Sequence, residues 1–371
     1  MKLVNTPEQE ELRQSVRRFL TAKSPSAAVR ELMADEGGYD AAVWKQMAEQ
    51  LGLQGIAIPE RFGGSGFSFV ELALVLEETG RALLVAPYFA SAVLGAYALL
   101  DSGDEAACAE LLPGIADGTR IATLAVTEDS GQWSLDGLTA TASQSTDGWT
   151  VSGVKSYVLD GHIADVVLVA GTTPAGLSLF AVDGAGPGVT RAVLPTVDQT
   201  RKLARLVLDA APARLVGADG GAGASLTRTL DKAALALAAE QVGGAQRALD
   251  MAVEYAKVRH QFGVPIGSFQ AIKHKASEMM LRVESARAAA NFGAWAVADG
   301  SDEVPVVASL AKAYAADAFF FAAAENIQIH GGVGFTWEHD AHLYFKRAAS
   351  GQQFLGDGTF HRERLLERIG I

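Results

Sequence analysis

The sequence predicts a mostly α-helical protein with a central β domain, and three observations carry that expectation. Apolar residues recur at helical spacing over about the first 115 residues. Short β-branched or alternating runs, broken by Gly, Asp and Pro, follow from about Ile121. After the glycine-rich stretch Gly217 to Gly223, helical spacing returns and persists almost to the end. The expected units are residues 1–118, an N-terminal helical domain; 119–216, a small β-barrel or sandwich; and 217–371, a four-helix bundle.

The elements justify themselves in order. Thr6-Pro7-Glu8-Gln9-Glu10 supplies an N-cap, a proline at the first helical position and early acids, so a helix starts there. Trp44, Met47, Leu51 and Leu53 form one face of another helix, Pro59 to Gly66 a glycine-rich loop, and Phe69 to Leu84 a further helix. Strands are expected at Ile121–Val126, Thr139–Gln144, Trp149–Ser152, Lys155–Leu159, Val166–Ala170, Leu177–Val182 and Leu203–Leu208. The bundle helices are expected over Ser225–Arg259, Ser268–Asp299, Val304–Gly331 and His339–Gly351.

Composition narrows the function. The 371 residues are 49% hydrophobic and 20% charged, enough to bury a large core in two or three units. A formal net charge of −12 disfavours nucleic acid or an anionic membrane as the main partner, because either repels the average surface. The single cysteine, Cys108, precludes an intramolecular disulfide and fits a reducing compartment. No stretch reaches the roughly 18 uninterrupted apolar residues of a membrane span, and the N-terminus carries no secretory pattern. A cytoplasmic protein is expected.

Three clusters stand out. The first is Leu124-Ala125-Val126-Thr127-Glu128. The second runs from Ala245-Gln246-Arg247-Ala248-Leu249-Asp250 through Tyr255 and Arg259-His260-Gln261-Phe262-Gly263 to Pro265-Ile266-Gly267 and Gln270-Ala271-Ile272. The third is Gln328-Ile329-His330-Gly331-Gly332-Val333-Gly334-Phe335, with Asp357-Gly358-Thr359 beyond it. A pyrophosphate needs a fixed cation, and Arg259 beside the break at Phe262-Gly263 offers one. Gly331-Gly332 permits close approach of a backbone to a ligand, and equally suits a helix C-cap and turn.

Over essentially its whole length the chain resembles the acyl-CoA dehydrogenase family. The resemblance implies FAD, with Thr127, Tyr157 and Leu159 at the flavin, Arg259 and Gln261 at the pyrophosphate, and Phe262, Gln270, Gln328, Gly331, Gly332 and Thr359 completing the cofactor site. In the family, the glycine-pair loop meets the FAD of a neighbouring subunit, so oligomerisation belongs to the site. It also implies removal of an α proton from an acyl-CoA thioester by one carboxylate, with the β hydride passing to the flavin to give the trans-2-enoyl-CoA. Working pH suits such a base when its surroundings are desolvated.

Asp357 stands where most members place a Glu before Gly-Thr, and it also suits a loop cap. The home used by isovaleryl-like members holds Ala233, and Glu240, about two helical turns on, is a second carboxylate candidate or an acid of the bundle core. Asp231 matches the family's acid near the pantetheine and also suits a helix-dipole partner. Departures are Tyr157-Val158-Leu159 for Trp-x-Thr, Ala234 for an arginine, and Asp129-Ser130-Gly131-Gln132-Trp133 for a Gly-Ser turn.

Trp337-Glu338-His339-Asp340-Ala341-His342 places two histidines at i and i+3, a spacing compatible with a metal, although none is expected. The same motif resembles an actinobacterial group that includes subunits of heterotetramers acting on steroid side chains. The expected partners are an acyl-CoA, electron-transfer flavoprotein or a similar acceptor, and either identical subunits or a second acyl-CoA dehydrogenase chain. A non-catalytic half-site subunit is the alternative reading, and monooxygenase or nitroalkane chemistry on the same fold a third.

Overall fold

A computed structural model describes residues 5–146 and 148–371. In chain order the helices are α1 (Pro7–Lys23), α2 (Ser26–Ala34), α3 (Ala41–Leu51), α4 (Phe69–Arg81), α5 (Ala96–Ser102) and α6 (Glu105–Ala116), followed after the strands by α7 (Ala222–Val258), α8 (Gln270–Ala298), α9 (Val304–His330), α10 (Ala341–Gln353) and α11 (Gly358–Arg368). The strands are β1 (Ala122–Ala125), β2 (Thr141–Ser145), β3 (Gly148–Leu159), β4 (Val166–Thr173), β5 (Gly176–Asp183), β6 (Val189–Val193) and β7 (Leu203–Val216), with a two-strand ribbon of β8 (His260–Gln261) and β9 (Val264–Pro265). The mostly helical architecture with a small β domain is the one the sequence predicts.

Packing divides the chain into two compact units. One comprises Glu31–Ser68 and Val85–Ala233. Here β4, β2, β3, β7 and β5 follow one another, and the β4–β5 pairing closes them into a five-strand barrel; β1 adds in parallel to β4 and β6 antiparallel to β7. Alternation along the strands turns Val151, Val167, Phe180, Leu206 and Leu208 inward. The two strands expected at Trp149–Ser152 and Lys155–Leu159 are one long strand with two register shifts. At the first, Gly153 has φ +146°, and a Cβ there would lie 2.7 Å from the Ala140 backbone, so only glycine fits. Strand β6, which had no sequence signal, pairs antiparallel with β7 and, among the described residues, with no other strand. A seven-residue π-helix, Phe89–Gly95, runs fully buried into α5 and packs on β1.

The other unit comprises the chain up to Arg30, Phe69–Leu84 and Ala234–Ile371. Helix α1 begins as expected, with Thr6 and Gln9 forming a reciprocal capping box and Pro7 in the first turn. Helix α9 packs on α8, α10 and α11, while α4 packs on α1 and α8. A Cβ on Gly243 would fall 1.7 Å from the Glu77 carbonyl oxygen, and one on Gly80 1.9 Å from that of Glu240. Helices α4 and α7 therefore touch backbone to backbone at Gly243, and a Cβ on Gly244 would lie 2.4 Å from the Phe319 ring of α9, which together explain a Gly-Gly pair in mid-helix despite its propensity cost. The segment Val304–Phe335 is apolar and long enough by composition to cross a membrane, but 67% of its most apolar window is buried, as befits a core helix.

Candidate active site

In the barrel unit, the first cluster leads out of β1. Thr127 is buried; its hydroxyl donates to the Ser156 carbonyl at 2.5 Å, and its own carbonyl accepts from the Ser156 N–H at 2.9 Å. The hydroxyl oxygen can then serve a ligand only as an acceptor. Tyr157 sits at the second register shift of β3 with φ +58°, a left-handed conformation that bulky residues avoid, and its ring is 41% exposed. Two residues on, Leu159 is buried and its carbonyl accepts from the Thr123 hydroxyl at 2.6 Å. Asp231 is buried on α7.

Beneath this cluster lies a charge that the sequence did not advertise. Lys155 is wholly buried, and its ammonium donates to the Val126 carbonyl and to Glu128 Oε1, both at 3.0 Å. Glu128 also accepts from the Thr139 N–H and hydroxyl and from the Ala140 N–H. Burial alone would raise the Glu128 carboxyl, but these donors outweigh it and hold the group at about 2. The clamp fixes both ends of the segment between Thr127 and Ala140.

In the bundle unit, the second cluster forms a hairpin. Strands β8 and β9 are joined by Phe262 (φ +54°) and Gly263 (φ +82°), the positive-φ pair of a type I′ turn. Phe262 is 92% exposed and packs edge-to-face with Phe269, with ring centroids 6.2 Å apart. Arg259 is exposed just before the hairpin, and among the described residues its guanidinium makes no ion pair or hydrogen bond. Gln261 donates to the His260 carbonyl at 2.9 Å, and Gln270 opens α8 on the surface.

Gln328 and Gly331 close α9: Gly331, at φ +63°, caps the helix through its N–H to the Gln328 and Ile327 carbonyls. Both glycines of the pair are exposed, and a Cβ at either would meet nothing within 4 Å. The C-cap is thus present, and open space lies over it. A partnerless guanidinium, an exposed aromatic ring and a bare glycine backbone fit an extended anionic ligand such as a dinucleotide.

The two carboxylates differ in circumstance. Glu240 is buried and ion-paired with Arg347 of α10, Oε1 to Nη1 at 2.8 Å. That contact occupies one oxygen of the Glu240 carboxylate inside the bundle core. Asp357 is half-buried at the N-cap of α11, where Oδ1 accepts from the Phe360 N–H at 2.8 Å. Among the described residues Oδ2 has no hydrogen-bond partner. Thr359, two residues on, is exposed.

The histidine motif is taken up by packing. Asp340 accepts from Arg30 at 2.8 Å and from Ser26 at 2.6 Å, and the His342 ring stacks on Trp337 with centroids 5.0 Å apart. His330 lies between Tyr255 and His339, 4.3 and 4.4 Å from their ring centroids, and burial holds it below its usual value. Among the described residues no group of three or more His, Cys, Asp or Glu is placed to hold a metal.

Residues 6–119 and 219–370 match the N-terminal and C-terminal domains of acyl-CoA dehydrogenases. Acyl-CoA dehydrogenase IpdE2 of Mycobacterium tuberculosis is 37% identical over 349 residues, covering 94% of this chain and 93% of that protein. The ChsE4–ChsE5 complex of the same organism contains a chain of 29% identity and TM-score 0.91, aligned over 100% of this chain and 99% of that one. The Tcur3481–Tcur3483 steroid acyl-CoA dehydrogenase contains one of 32% identity and TM-score 0.88, aligned over 98% of this chain and 97% of that one.

Proposed function

The chain belongs to the acyl-CoA dehydrogenase family, and from that premise we propose that it dehydrogenates a bulky acyl-CoA thioester of a fatty-acid or steroid side chain to the trans-2-enoyl-CoA, with Asp357 as the base. The family's activity is an FAD-dependent oxidoreduction. Bound FAD supplies the acceptor for the hydride that leaves the β carbon. Everything else falls to the chain's own groups. Asp357 takes the α proton through Oδ2 while Oδ1 remains on the Phe360 N–H, so the residue keeps its place as it changes charge. Arg259 and Gln261 hold the pyrophosphate; Phe262, Gln270, Gln328, Gly331, Gly332 and Thr359 line the remaining cofactor surface. Thr127, Tyr157 and the backbone of Leu159 meet the flavin, and Asp231 meets the pantetheine.

The observation that carries the reading is the contrast between the carboxylates. Asp357 has an oxygen to spare, and Glu240 is committed to Arg347. Asparagine caps a helix about as well as aspartate, so Asp357→Asn separates chemistry from folding. The test is anaerobic flavin bleaching by butyryl-, octanoyl-, palmitoyl- and isobutyryl-CoA and a steroid-side-chain acyl-CoA. Asp357→Asn is expected to slow bleaching by about 10² to 10⁴-fold with the melting temperature unchanged. Bleaching at the wild-type rate would remove Asp357 from the role.

A second reading is a subunit that completes its flavin site only with a different dehydrogenase chain. Similarity to chains of the two-component ChsE4–ChsE5 and Tcur3481–Tcur3483 structures favours it, together with the departures at Leu159 and Ala234. Purification alone and with a co-expressed second chain decides, since a lone chain with one FAD per subunit contradicts it. Electron-transfer flavoprotein is the proposed acceptor of the reducing equivalents.

A further inference from the structure

We propose that Lys312, assisted by His361, is a positioning residue that fixes the loop presenting Asp357; this rests on the reading of Asp357 as the base. Lys312 stands in the Ala-rich middle of α9 and is wholly buried. Its ammonium donates to the Gly351 carbonyl in the last turn of α10 and to the Gly356 carbonyl immediately before Asp357, both at 3.1 Å. The end of a helix carries partial negative charge on carbonyls without intrahelical partners, and this is where a buried cation can be accommodated.

The second hold comes from the other side of the carboxylate. His361, in the first turn and a half of α11, is 1% exposed, and its Nε2 lies 2.9 Å from the Leu355 carbonyl. Because that partner is an acceptor, Nε2 carries the proton. Burial, with the charge of Lys312 second, pushes the imidazole down to about 3, so it stays a neutral donor. Consecutive carbonyls, at Leu355 and Gly356, are therefore held by side chains from α11 and α9.

The backbone between these holds follows a path that few sequences can take. Leu355 has φ +63° and Gly356 φ +97°, two left-handed residues in succession. A Cβ on Gly356 would lie 2.3 Å from the Phe360 ring, so the position admits only glycine. Such a conformation persists only where its surroundings over-determine it. It delivers Asp357 to the N-cap with one carboxylate oxygen tied and the other available. Gln241 of α7 also donates to the Gly351 carbonyl, at 3.0 Å, so the α10 end of the clamp is anchored independently of Lys312. Removing Lys312 should then release the Gly356 end, which carries the carboxylate.

The test uses the full-length FAD-loaded protein with Lys312→Met, which keeps the length and loses the donor, and Lys312→Gln, which keeps a neutral donor. Hydrogen exchange over residues 355–360 is expected to quicken by roughly tenfold in Lys312→Met and less in Lys312→Gln. With the fastest acyl-CoA of the panel above, kcat should fall by about tenfold while KM stays within about twofold, because orientation of the base and not substrate binding is lost. Unchanged exchange together with unchanged kcat overturns the proposal, as does a rise in KM alone. Should Lys312→Met fail to fold, Lys312→Gln carries the same comparison. Wild-type bleaching by Asp357→Asn sinks the reading of the base, while the exchange data still decide whether Lys312 holds the loop.

Discussion

Among the described residues two lysines are wholly buried, one in each compact unit, and the contacts that each makes differ. Lys155 in the barrel meets a carboxylate, Glu128, and one carbonyl. Lys312 in the bundle meets the carbonyls of Gly351 and Gly356. A buried ammonium needs negative charge nearby, whole or partial, or it gives up its proton. The barrel supplies a whole charge, which makes the contact sensitive to the protonation of Glu128. The bundle sets two peptide carbonyls against the cation, and those contacts depend on backbone position. The first arrangement locks a segment through electrostatics; the second turns a loop's exact path into the condition for burying the cation.

The largest expected effect is at the carboxylate-paired lysine. Lys155→Met leaves Glu128 in place with its Thr139 and Ala140 donors but without its cation. It should lower stability by about 3 kcal/mol in urea denaturation, the lower end of what breaking a buried ion pair costs. A loss below about 1 kcal/mol would mean that the backbone donors alone sustain Glu128, erasing the contrast between the lysines.

Acid should then separate the two regions. His361 is held neutral at about 3, well below the ordinary value for histidine. The unfolded chain therefore binds the extra proton first as pH falls, and the stability contributed by the neutral ring is present above about 6.5 and lost progressively toward 3. Between pH 6.5 and 4.5 this amounts to about 2 to 3 kcal/mol. Glu128, held at about 2, keeps its contribution until pH falls below about 4.5, and loses it as pH passes through 2. Local hydrogen exchange should thus quicken over residues 355–361 at a pH where residues 128–140 remain protected. Simultaneous loosening of both segments contradicts that order.

The smallest effect is expected from Thr139→Val, which removes the hydroxyl donor to Glu128 and keeps the N–H. About 1 kcal/mol should be lost, with the Lys155 contact intact. A larger loss would assign the clamp to Thr139 more than to the lysine.

Much of the architecture was legible because periodicity is local. The capping box at Thr6 and the long bundle helices lie close to where apolar spacing and cap residues place them. Strand β6 was missed because Val189 to Val193 sits between turns and is too short to alternate persuasively, and α11 because Gly358 to Arg368 is largely polar. The π-helix left no trace, since an apolar run does not reveal how its backbone is wound.

The site divides the same way. Asp357 could be found from its place before Gly-Thr, and Arg259 from the hairpin residues around it. The pairing of Glu240 with Arg347 joins residues 107 positions apart, and nothing near either one announces the other. Lys312 in Ala311-Lys312-Ala313 looks like a solvated charge on a helix face, and only packing shows it to be enclosed. A signal was available: α9 is so rich in alanine and phenylalanine that a lysine in its middle had to find a partner inside.

The interleaving of the two compact units bears on how the chain is made. Most of the barrel unit is one stretch, Val85–Ala233, together with Glu31–Ser68. The bundle unit needs the chain up to Arg30 and Phe69–Leu84 as well as everything from Ala234 onward. During synthesis the barrel's residues have all emerged while the bundle's main partners are still unmade. Helices α1 and α4, with the buried acids Glu77 and Glu78, must therefore wait for Arg287, Asp250 and the C-terminal helices. While Val85–Ala233 is being made, the nascent protein holds only about a quarter of the bundle unit's residues, and the arginines of α1, which pair with those acids, are what can cover them in the interval.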